Sequence, residues 1–140
     1  MNTSRSILLV EDNPDDEKLM IRALRRANIA NEIRVARNGE DALNILFSDT
    51  PLPIVVLLDI KLPKVDGLEV LKRLRADDHT KLLPVVILTS SKEERDILDS
   101  YNLGANSYVW KPIEFNEFNA AVKQIGLYWL LINEAVSERF

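Results

Sequence analysis

Five short apolar runs punctuate the chain: Ile7–Val10, Ile33–Ala36, Ile54–Leu58, Val85–Leu88 and Ser107–Trp110. Between them lie stretches with helical spacing. Leu19, Ala23 and Ala27 fall four apart on one face of the first, and Leu68, Leu71 and Leu74 line one face of the third. Alternating strand and helix patterns predict parallel strands joined by right-handed helical crossovers, an α/β doubly wound sheet of five strands. The run Ile54-Val55-Val56-Leu57-Leu58 shows no polar alternation, as expected of a strand covered by helices on both faces. The run Leu82–Leu88 is interrupted only by Pro84, which belongs at a strand's start, where a missing N–H is tolerated.

The helix starts are punctuated to match. Asn13-Pro14 reads as an N-cap and first-turn pair, and Asp15, Asp16 and Glu17 suit the positive end of the helix dipole. Asn38-Gly39-Glu40-Asp41 opens a second helix, Asp66-Gly67-Leu68-Glu69 a third and Ser91-Lys92-Glu93-Glu94 a fourth, the last with an acid three residues after the serine. No internal repeat, linker or low-complexity tract interrupts the pattern. The expectation is one domain over residues 1–140, with a core of about 5–125 and an apolar extension of about 126–140.

Composition narrows the chemistry. Of 140 residues, 46% are hydrophobic and 29% charged, the profile of a folded globular chain. A net charge of −4 disfavours direct nucleic-acid binding, which rests on Lys and Arg neutralising phosphates. The absence of cysteine removes disulfides, thiol catalysis and Cys-based zinc sites, and the one histidine, His79, cannot make a His-rich metal centre. The apolar run near the N-terminus is too short for a signal-peptide core, and no stretch approaches the ~18 apolar residues of a membrane span. A cytoplasmic protein without membrane contact is expected.

In a doubly wound sheet, ligands bind beyond the carboxyl ends of the strands. The first run ends in Glu11-Asp12, the third in Asp59, the fourth in Thr89-Ser90 and the fifth in Lys111-Pro112. Three converging carboxylates repel one another unless a cation sits among them, and a hard oxygen-seeking ion such as Mg2+ fits that set. Lys111 adds a positive charge and Thr89 a hydroxyl donor. Together they could neutralise and orient a phosphoryl group in transfer, where positioning and charge stabilisation dominate. Taken singly, a strand-end Asp is a helix cap and a Lys before Pro a surface residue. The conjunction, in order and spacing, is what points to a site.

The segments Ile7-Leu8-Leu9-Val10-Glu11-Asp12-Asn13, Leu57-Leu58-Asp59-Ile60-Lys61-Leu62-Pro63-Lys64-Val65-Asp66-Gly67, Leu88-Thr89-Ser90-Ser91 and Gly104-Ala105-Asn106-Ser107-Tyr108-Val109-Trp110-Lys111-Pro112 resemble a two-component response-regulator receiver domain of the chemotaxis-protein type. The likeness spans roughly residues 5–125. It implies the flavodoxin-like strand order 2-1-3-4-5. It further implies that Asp59 accepts phosphate from a sensor histidine kinase and that Mg2+ is held by Asp12, Asp59 and the Lys61 backbone carbonyl, with Glu11 acting through water. Thr89 and Lys111 would contact the phosphoryl oxygens, Thr89 and Tyr108 would form the switch, and the bond before Pro112 would be cis. The acidic pair is Glu-Asp where the simplest pattern is Asp-Asp. Lys61, two past the acceptor, sits where the family tunes phosphate loss, so its side chain is expected to alter the hydrolysis rate.

The tail Gly126-Leu127-Tyr128-Trp129-Leu130-Leu131-Ile132-Asn133 is too apolar for solvent. Either it folds back on its own core or it pads a subunit interface, where Tyr and Trp are enriched. The second reading implies a homodimer through the fourth helix, fifth strand and fifth helix, with Tyr101, Tyr108, Tyr128 and Trp129 on its surface. With Tyr101–Tyr108, the tail resembles single-domain regulators paired with phytochrome kinases, which implies a phytochrome partner. Three rival functions stand beside these. A magnesium-dependent aspartyl-phosphate phosphatase would carry an Asp two past the nucleophile, where Lys61 stands. A phosphorylation-independent binding module would be expected to have lost part of the site, whereas Asp12, Asp59, Thr89 and Lys111 are all present. A flavodoxin-like nucleotide binder would need a Gly-rich loop where Asn13-Pro14-Asp15 stands.

Overall fold

The structure, a computed structural model, describes residues 5–89 and 94–110 together with 116 and 120. Its elements are β1 (Ile7–Val10), α1 (Pro14–Arg26), β2 (Ile33–Ala36), α2 (Gly39–Leu46), β3 (Val55–Leu58), α3 (Gly67–Ala76), β4 (Val85–Thr89), α4 (Glu94–Asn102) and β5 (Ser107–Trp110). The five strands form one parallel sheet in the order β2-β1-β3-β4-β5. Both the fold class and the strand order expected from the sequence are thus realised.

The caps explain where the helices begin. The Asn13 side chain accepts hydrogen bonds from the N–H groups of Asp15 and Asp16, Asn38 from that of Asp41, and Asp66 from that of Glu69. Each satisfies N–H groups that the first helical turn leaves unpaired. Pro84 precedes β4, and its carbonyl accepts from Val56 N at 2.9 Å, so the proline sits where it costs the ladder nothing.

Strand alternation sorts the core into two layers. Ile7, Leu9, Val55, Leu57, Val86 and Leu88 pack with Met20 and Leu24 of α1 on one face. Leu8, Val10, Val56, Leu58, Val85 and Ile87 pack with Leu43 and Leu46 of α2 and with Val70, Leu71 and Leu74 of α3 on the other. β1 and β3 are buried along their whole length, as the uninterrupted apolar run of the third strand predicts. On α1 the buried stripe is Met20, Ala23 and Leu24, not the expected line through Leu19. Leu19 is 42% exposed, because the helix turns its 20–24 face to the sheet. Among the described residues, no helix is long and apolar enough to cross a membrane.

Candidate functional site

The register of the central strands builds the site. Val10 pairs with Leu58 across β1 and β3, and with Ala36 across β1 and β2. The ladder runs one residue further on both sides: Asp59 N donates to the Val10 carbonyl at 3.1 Å, and Glu11 N to the Ala36 carbonyl at 3.0 Å. Main-chain bonds therefore hold the first residue beyond each central strand side by side. The carboxylates follow. Oxygens of Glu11, Asp12 and Asp59 all lie within 4.8 Å of one another.

Glu11 is 2% exposed and Asp59 5%, whereas Asp12 is open to solvent. Glu11 Oε2 accepts from Asn13 N at 3.2 Å, and Asp59 Oδ1 from Lys61 N at 3.4 Å. When ionised, two such charges repel by about 3.5 kcal/mol or more per pair at an effective dielectric of about 20. An all-carboxylate set of this compactness fits a hard divalent cation, Mg2+, Mn2+ or Ca2+, in preference to a thiophilic one. The carbonyl of Lys61 receives no backbone hydrogen bond among the described residues, so it too is an available oxygen donor.

The loop that follows Asp59 is tightly made. Leu62 N closes onto the Ile60 carbonyl at 3.0 Å, and Gly67 N onto the same carbonyl at 2.8 Å. Ile60 and Leu62 are buried in the second core layer. Lys61, lying between these two anchors, projects outward, and its ammonium meets Asp96 Oδ2 of α4 at 3.6 Å. Further along, Val65 N bonds to the Pro63 carbonyl at 2.9 Å, with Lys64 at the turn's centre at φ 68°.

The remaining expected residues fall as follows. Thr89 is the last residue of β4, its backbone registered with Trp110 of β5, and its side chain is outside the described atoms. Tyr108 lies on β5, partly buried against the second core layer, as are Leu103 and Ala105. Burial, then the charges of Asp96 and Asp59 and the neighbouring Tyr101, push its phenol up to about 12. Tyr101, on α4, is half-exposed. Lys111, Pro112, Tyr128 and Trp129, and the extension from 126, lie outside the described residues.

Asp96 is the site residue that sequence pattern does not single out. It is one of several acids at the start of α4, which read as dipole partners. The structure buries it to 8% exposure, and Ser100 Oγ donates to its carbonyl at 2.8 Å.

The family model of the response regulator receiver domain matches residues 7–123. Among curated proteins, the chain is 40% identical over 128 residues to a probable methanogenesis regulatory protein, FilR2, of Methanothrix harundinacea, covering 89% of this chain and 83% of that one. It is 36% identical over 134 residues to response regulator Rcp1 of a Synechocystis strain, covering 92% and 91%. Among solved structures, the bacteriophytochrome response regulator AtBRR superposes with a TM-score of 0.81 at 50% identity, over 90% of this chain and 95% of that one. The Mn2+-bound form of Rcp1 superposes with a TM-score of 0.73 at 34% identity, over 89% and 92%. The phosphorylated cyanobacterial phytochrome response regulator RcpA gives 0.75 at 33%, over 92% and 94%.

Proposed function

Because the chain belongs to the response regulator receiver domain family, we propose that it is the phosphate-accepting switch of a two-component relay, with Asp59 as the acceptor. The observation that carries this reading is the position of Asp59, buried at the carboxyl end of a central strand inside a cluster of three carboxylates. Asp12, Asp59 and the Lys61 carbonyl would hold Mg2+ directly, and Glu11 through water. The bound ion would supply charge neutralisation and orientation of the phosphoryl oxygens.

In the transfer step, an Asp59 carboxylate oxygen forms a bond to the phosphorus of a kinase phosphohistidine. The phosphorus–nitrogen bond breaks, and the imidazole leaves with its electron pair. Burial of Asp59 keeps bulk water from competing, and its hydrogen bond from Lys61 N fixes which oxygen faces the donor. Thr89 and Lys111 then bind the phosphoryl oxygens. The added charge of roughly −1.5 to −2 draws Thr89 inward and gives Tyr108 room to turn in from the surface. A few kcal/mol of differential stabilisation suffices for such a shift. The chain catalyses only its own phosphotransfer and dephosphorylation.

The likeness to AtBRR and RcpA supports a phytochrome-type kinase as the donor. The output surface is the face of α4 and β5 carrying Tyr101 and Tyr108, and it serves a homodimer to which the sequence also assigns Tyr128 and Trp129, which lie outside the described residues. Incubation with acetyl phosphate and Mg2+ tests the core of this reading. Intact mass should rise by one phosphate in the parent and not in Asp59→Asn, and a chelator should abolish the gain. No mass gain in the parent would overturn it.

A further inference from the structure

Lys61 stands in the β3–α3 loop, two residues past Asp59 of the carboxylate cluster. The cluster of Glu11, Asp12 and Asp59 would attract any nearby cation, and Lys61 is tied to it through its own N–H on Asp59. Yet its side chain pairs with Asp96, a carboxylate on a different element. The two partners differ in freedom. Asp96 is nearly enclosed, held in the first turn of α4, while the Lys61 side chain is 63% exposed and can swing. Ile60 and Leu62 pin the backbone on either side of Lys61, so the swing is confined to the four-carbon stem.

We propose that Asp96 is a positioning residue for the phosphoryl site, acting through Lys61. In the unphosphorylated protein it draws the ammonium to the α4 side. Once Asp59 carries a phosphoryl group, two anions compete for one ammonium: the Asp96 carboxylate and the phosphoryl oxygens. The share that reaches the phosphoryl group shields it from hydrolysis. In that reaction a water oxygen bonds to phosphorus, the phosphorus–oxygen bond to Asp59 breaks, the Asp59 carboxylate is restored and both water protons leave on inorganic phosphate. Asp96 therefore shortens the life of the phosphoryl group by holding Lys61 off it. The same competition reaches the output face, because Asp96 is also the first charge that the Tyr108 phenol feels. A carboxylate that loses its ammonium partner to the phosphoryl group changes the field at Tyr108.

This inference rests on Asp59 as the acceptor, and the experiment separates the two. The parent, Asp96→Asn, Lys61→Met and the double variant are loaded with acetyl phosphate and Mg2+ and exchanged into donor-free buffer. Phosphate loss is then followed by intact mass. Asp96→Asn should slow the loss roughly two- to fivefold, in keeping with what a partly exposed ion pair contributes. Lys61→Met, an exposed change that leaves α4 untouched, should hasten it. In the Lys61→Met background, Asp96→Asn should have no further effect. An unchanged or faster loss in Asp96→Asn overturns the inference while leaving the acceptor in place. So does an equal slowing with Lys61 absent, or an unchanged rate in Lys61→Met, the arm that decides if Asp96→Asn does not fold. If the parent takes up no phosphate, the acceptor reading and this inference both fall.

Discussion

Gly67, the first residue of α3, is packed against the main chain of Asp59: a Cβ at Gly67 would overlap the Asp59 carbonyl oxygen and lie 2.8 Å from Ile60 Cα. The helix that follows the loop is thereby seated directly on the strand end that carries Asp59, the proposed acceptor. No flexible side chain stands in between to give way. Gly67→Ala must push α3 and the strand end apart. It should lower stability by about 2 kcal/mol or more, towards the upper part of the range for overpacked sites. Urea unfolding measures this, and a cost below about 0.5 kcal/mol, the scale of a surface change, would contradict it. The same variant should take up phosphate more slowly, since the Asp59 backbone is what moves.

Lys64 carries a different cost. It holds φ 68° at the centre of the turn closed by Val65 N on the Pro63 carbonyl. A side chain in the left-handed region costs roughly 1–2 kcal/mol, partly offset in a glycine variant by the greater entropy of its unfolded chain. Lys64→Gly should therefore raise stability by about 0.5–1 kcal/mol, read as a higher urea midpoint at unchanged slope. A lower midpoint would mean that the lysine side chain contributes more than its backbone costs.

Tyr108 gives a pH signature. Its folded phenol is pushed up to about 12, above the ordinary value near 10. A group whose folded value is raised contributes stability that is fully present below pH 10 and is lost as pH rises through about 12. Across that window the parent should lose stability relative to Tyr108→Phe, and ultraviolet absorbance should show the latest phenolate step missing from the variant. Parallel stability curves for the two proteins between pH 10 and 12 would refute it. At neutral pH, the phenol is a hydrogen-bond donor whichever way the ring faces.

Much of this was legible from the chain. The apolar runs gave the strands, Asn13, Asn38 and Asp66 gave the helix starts, and strand-end position gave Glu11, Asp12 and Asp59. Those features are local, set by periodicity and by the chemistry of single residues. Less local features were not visible. The stripe through Leu19 and Ala23 is consistent with helical spacing, but the sheet sees Met20, Ala23 and Leu24 instead, because the rotation of α1 is settled by packing. Asp96 looks like any acid in a first turn. Its burial and its ion pair with Lys61 depend on how α4 sits beside the β3–α3 loop, which no short segment encodes.

The pairing of Val10 with Leu58 has a consequence for how such a protein can vary. Asp59, the proposed acceptor, and its acidic neighbours take their address from main-chain register. Substitutions that respect the size of the strand residues cannot shift it, while a single inserted residue in either strand would turn the following side chains to the opposite face. Lys61 and Asp96 stand outside that ladder. On the competition proposed above, a lineage could therefore change how long its signal lasts by altering this pair alone, with the place where the signal is written held constant.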